Sequence, residues 1–69
     1  MSVRVDWNRN PVSVHSDDKE ELELLVNFLK TKYSIRKRSW VMEDREEGGF
    51  LFFLYQPCDP RWFLEFINS

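Results

Sequence analysis

Val3, Val5 and Trp7 alternate with Arg4 and Asp6, which is the period of a strand with one buried face. Asn8-Arg9-Asn10-Pro11 follows as turn chemistry, and Val12 and Val14 then alternate with Ser13 and His15. Residues 8–15 can return as a short second strand in a hairpin or lie as a loop over the core. From 17 to 33 the period changes. Leu22, Leu25, Val26, Leu29 and Tyr33 fall on one stripe of a helix, the expected core face. Ser16, Asp17 or Asp18 can cap it, with Asp17/Glu20 and Asp18/Glu21 at capping-box spacing, and Lys30 and Lys32 complement the dipole in the last turn. Leu24 and Phe28, one turn apart, form a second apolar ridge that a helix lying on a sheet does not require.

Residues 34–43 read as a strand with Ile35 and Val41 on one side and Trp40 and Met42 on the other. A charged connection, 43–47, ends in Gly48-Gly49. FLFFLYQ, 50–56, is bulky on both faces and so belongs in the middle of a sheet, and Pro57 stops it. Asp59-Pro60 pairs an N-cap residue with proline at the first helical position. The closing helix, 60–67, carries Trp62, Phe63, Leu64, Phe66 and Ile67, with Arg61 and Glu65 spaced as an outer ion pair. The pattern therefore predicts one α+β domain, 1–69. It consists of a small antiparallel sheet of three or four strands, one main helix and a short C-terminal helix, in the order β-(β)-α-β-β-α.

Composition sharpens this. The chain has 69 residues, one Cys and one His, so neither an internal disulfide nor a Cys/His zinc site can staple it, and no cofactor is implied. Six Phe, three Trp and two Tyr supply apolar surface instead. They exceed what one small core accommodates. The surplus falls on Leu24, Phe28, Trp40, Met42, Phe50 and Phe52, which are the expected protein-binding residues unless the C-terminal helix crosses to the second face. The start has charges and no apolar signal core, and the run 50–55 is too short to cross a bilayer. The expectation is a soluble protein of a reducing compartment, the cytoplasm, a virus-infected host's included, with no membrane or small-molecule partner.

The candidate chemistry is thin. Cys58 stands just before a helix start, where a thiol can be activated, with His15 as the available base; a half-buried, space-filling thiol is the plainer reading. His15 is expected to face water, and a metal reading of it would call on Asp17 and Asp18. Acids at 43–47 lack the ligand spacing of a calcium loop, and no enzyme signature is present.

Charge is distributed unevenly although the net value is only −2. KTKYSIRKR, 30–38, holds five of the ten basic residues and no acid, whereas 43–47 holds four acids and one base. One end of the molecule is thus basic and the other acidic. Gly49, Phe50, Phe52 and Tyr55 match positions of the RNA-recognition-motif octapeptide, which this stretch partly resembles, although Leu51 stands where Gly or Ala belongs. The resemblance implies stacking of bases on Phe50 and Phe52, with Lys30, Lys32, Arg36, Lys37 and Arg38 on phosphates. Two function classes follow. The first is a small non-enzymatic protein-interaction module that binds a protein partner or itself as a homo-oligomer. Regulators and inhibitors, virus-encoded ones among them, work in this way. The second is a single-stranded RNA- or DNA-binding domain.

Overall fold

The structure, a computed structural model, describes residues 3–68. Met1, Ser2 and Ser69, part of the expected 1–69 domain, lie outside the described residues. The elements are β1 (Arg4–Asp6), β2 (Val12–Ser16), α1 (Lys19–Tyr33), β3 (Met42–Glu43), β4 (Phe50–Leu54) and α2 (Pro60–Asn68). The fold is α+β, and the strands form one antiparallel sheet in the order β1-β2-β4-β3. Residues 8–15 do form the hairpin return, through a turn with a cis Asn10–Pro11 peptide bond. β4 takes the central place expected of it.

Register decides the faces. Val14 stands opposite Phe52 and Val12 opposite Leu54, while Val5 faces Val14 from the other side. These residues join Leu22, Leu25, Val26 and Leu29 of α1 and Phe63 and Phe66 of α2 in one core. Both helices therefore cover the same face; α2 does not cross to the other. The alternation of a strand then sends Ser13, His15, Leu51, Phe53 and Met42 to the second face, with Arg4 and Asp6 beside them. Phe53 and Tyr55 would serve the core equally well by pattern alone. Here they lie on the side away from the helices, and Tyr55 is exposed.

Asp18 caps α1 by accepting from the Glu20 backbone N–H, and Ser34 ends it in the left-handed conformation. Asp59 likewise accepts from the Arg61 backbone N–H at the start of α2. The expected Arg61–Glu65 pair is not formed. Arg61 turns back to Asp59, and Glu65 is taken by Lys32 and the Tyr33 hydroxyl, so that this charge ties α2 to α1. Tyr33 also stacks on Trp62, with ring centroids 4.3 Å apart.

The strand expected over 34–43 is shorter. Arg38 pairs with Leu54, and Met42 pairs with Leu51. Between these pairs the outer chain spends one more residue than β4, which makes a β-bulge around Trp40. Ser39 stabilises it: its backbone N–H donates to the Phe53 carbonyl, and its hydroxyl accepts from the Phe53 N–H at 2.8 Å while donating to the Trp40 carbonyl.

Phe52 is fully buried, so Phe52→Ala is expected to cost about 3–5 kcal/mol in urea unfolding, whereas exposed Leu64→Ala should stay within about 0.5 kcal/mol. The Arg61 side chain, followed by its backbone N–H, holds the Asp59 carboxyl below its ordinary value. The stabilisation from that charge is present above the unfolded pKa of about 3.9 and fades as pH falls through the lower folded value. Wild type and Asp59→Asn should therefore differ in melting temperature at pH 7 and converge in strong acid.

Candidate functional site

Two places on the second face of the sheet and its β3 edge carry side chains that the core does not explain. The first begins at His15. By alternation its ring must leave the core, but it does not reach water as expected; only 6% of it is exposed. The turn between β3 and β4 closes over it. Gly48 and Gly49 both adopt positive φ, and a Cβ on Gly49 would stand 2.7 Å from the Ser16 carbonyl oxygen, so the turn can press against the end of β2 only with glycine there.

That approach delivers Asp44. Its Oδ2 lies 3.1 Å from His15 Nδ1, and its Oδ1 accepts from the backbone N–H groups of Glu46 and Glu47. On the other side of the ring, Nε2 lies 2.8 Å from Ser13 Oγ. The carboxylate can only accept, so the ring proton belongs on Nδ1, and Ser13 donates to Nε2. The Glu47 backbone N–H, with burial opposing and the Glu46 N–H and His15 ring assisting, holds the Asp44 carboxyl below its ordinary value. Asp44 is thus ionised at neutral pH. Glu47 Oε2 stands a further 3.8 Å from Nδ1.

Hydroxyl, imidazole and carboxylate stand here in the order of a nucleophilic triad, which a chain with one histidine did not promise. Reach decides its use. Ser13 has no exposed surface, and the depressions lined by Asn10 to Val12 with Leu54 to Pro57 and by Glu20, Glu23, Leu24 and Asn27 do not border it. A carbonyl substrate cannot approach Ser13 Oγ in this arrangement. The relay instead satisfies three buried polar groups and anchors the turn to β2; among the described residues no buried side-chain nitrogen or oxygen lacks a partner. Its geometry does gather His15, Asp44 and Glu47 as possible metal ligands, in place of the Asp17 and Asp18 that sequence proximity indicated.

Cys58 has no part in this cluster. It is half-buried, its Sγ lies 3.5 Å from the Gln56 carbonyl oxygen, and burial pushes the thiol pKa up rather than down. That is the space-filling thiol, not the activated one.

The second place is the β3 edge. Trp40 at the bulge is 81% exposed, with Met42 beyond it at 40%. Leu24 is exposed on the outer side of α1, away from both. The other expected anchors lie elsewhere. Phe52 is sealed beneath the helices and can serve neither as a docking residue nor as a stacking ring. Phe50 is half-buried against the same core. Phe28 packs between the helices, 5.4 Å from the Phe66 ring centroid. Of the basic residues, Lys32 is bound to Glu65 and Arg38 donates to the Ser39 carbonyl, while Lys30, Arg36 and Lys37 are exposed. Phe50 and Phe52 therefore do not stand as an exposed pair of rings.

No described helix is long and apolar enough to cross a membrane. Comparison with protein-family models, with curated proteins and with solved structures finds no match. Sequence reasoning missed the Ser13–His15–Asp44 relay because 29 residues separate its histidine from its acid. The sequence offered only a histidine at an alternating strand position and, far along the chain, the glycine pair 48–49.

Ser13→Ala leaves His15 Nε2 without its partner and is expected to cost about 1–3 kcal/mol in chemical unfolding. A cost near zero would show that the relay does not anchor the turn.

Proposed function

We propose that the chain is a non-enzymatic interaction module that docks through the β3 edge, centred on Trp40, onto a second copy of itself. The observation carrying this reading is the exposure of Trp40, an indole set on a bulge by three hydrogen bonds from and to Ser39. Tryptophan is among the side chains most enriched at positions that dominate interface energy, and this one lies outside the buried core. Charge favours a second copy as the partner. Along this edge Arg36, Lys37 and Arg38 precede Trp40, and Glu43, Glu46 and Glu47 follow it. Two copies related by a two-fold axis near Trp40 run antiparallel, so the basic segment of each meets the acidic segment of the other. Met42 adds apolar area beside the indole.

A bulged edge resists continuous strand pairing. The contact envisaged is therefore one of side chains, with the indoles buried at the axis and the charges at the rim. The sealed Ser13 hydroxyl supports a non-enzymatic role.

Light scattering coupled to gel filtration should give a dimer at low salt that weakens as salt screens the rim. Trp40→Ala should yield a monomer that melts as wild type does at protein concentrations low enough for wild type to be monomeric as well. A wild-type chain monomeric at the highest soluble concentration would overturn the second copy as partner. A fluorophosphonate probe should leave Ser13 unlabelled, and labelling there would overturn the non-enzymatic reading.

A further inference from the structure

The turn between β3 and β4 gathers one imidazole and two carboxylates around a point at the rim of the sheet. We propose that His15 Nδ1, Asp44 Oδ2 and Glu47 Oε2 bind a divalent zinc ion, with water as the fourth ligand. All three ligand atoms lie within 4.8 Å of one another. Nδ1 stands 3.1 Å from Asp44 Oδ2 and 3.8 Å from Glu47 Oε2. Tetrahedral zinc with bonds of about 2.0–2.1 Å sets its ligand atoms roughly 3.3–3.4 Å apart, so these separations need only small side-chain adjustments.

The surroundings suit the ion. Asp44 Oδ1 is occupied by the Glu46 and Glu47 backbone N–H groups, which fixes the carboxylate and leaves Oδ2 pointing at the imidazole. Ser13 supplies the outer partner that metal-binding histidines require. Zinc takes the Nδ1 lone pair, the ring proton moves to Nε2, and the Ser13 hydroxyl, able to donate or accept, turns from donor to acceptor at 2.8 Å. Residues 43–47 carry four carboxylates against one arginine, a field that attracts a cation. The Glu47 side chain is 58% exposed and gives the ion an entry path from solvent. One nitrogen and two oxygens, in a site open on one side, favour zinc over magnesium or calcium, which take oxygen ligands alone in greater number. The bound ion would reinforce with metal bonds the link between β2 and the β3–β4 turn that hydrogen bonds now make in this disulfide-free chain.

The probe is zinc chloride titrated calorimetrically into the chelator-treated full chain. One saturable site per chain is expected, accompanied by a rise in melting temperature that EDTA reverses, and no such response to magnesium chloride. Glu47→Gln, at an exposed position, should remain folded by circular dichroism and weaken zinc binding at least tenfold. Cys58→Ser should bind as wild type. Cobalt(II) in the same site should show the intense visible bands of four-coordinate geometry. Absence of a saturable zinc isotherm, or zinc affinity unchanged in Glu47→Gln, overturns the proposal.

Discussion

The opposition of Val14 and Phe52, both without exposed surface, is the constraint on which the rest of the molecule depends. It joins two strands distant in sequence, with α1 and β3 between them, and gives both helices the same face to cover. Once this pair is inside, strand alternation leaves no freedom to Ser13, His15, Leu51 and Phe53. They must stand on the face without helices. A shift of register by one residue would exchange the two sets and place a histidine in the aliphatic core.

The second face then has a polar problem to solve. His15 is shielded from water by the turn that follows β3, and a shielded imidazole needs a partner on each nitrogen. Ser13 meets one need from two residues away on the same strand. Asp44 meets the other from across the sheet, and the cross-link that results holds the turn in place. Glycine at 49 is the condition for this, because any side chain there would collide with the Ser16 carbonyl. The same closure brings Glu47 near the ring. The structural anchor and the proposed metal-ligand set are therefore two consequences of one turn, which also leaves Ser13 without exposed surface.

The β3 edge is shaped by a different device. The bulge at Trp40 interrupts pairing with β4, and Ser39 supplies the hydrogen bonds that a regular strand would have taken from its backbone. The interruption protects the edge from indiscriminate pairing while presenting a single large aromatic group between a basic and an acidic segment. The arrangement blunts an edge strand against aggregation and leaves the Trp40 indole available for the docking proposed above.

The order of elements, the caps at Asp18 and Asp59 and the core stripe Leu22, Leu25, Val26 and Leu29 were legible in the sequence, because each rests on local period or on residues within one turn. The ends of the charged edge were legible for the same reason. What only the tertiary structure decided was which face of 50–55 turns inward, since Phe50, Phe52 and Leu54 match Leu51, Phe53 and Tyr55 in bulk and hydropathy. Register with Val14 made the choice, and with it moved Phe52 from surface anchor to core. The burial of His15 and its meeting with Asp44 were equally beyond local reading, for they depend on the close approach at Gly49. Trp40 stayed outside because the bulge removed it from the alternation that its neighbours obey. Local pattern specifies elements; contacts between residues far apart in sequence assign the faces, and the faces determine which side chains are left to bind.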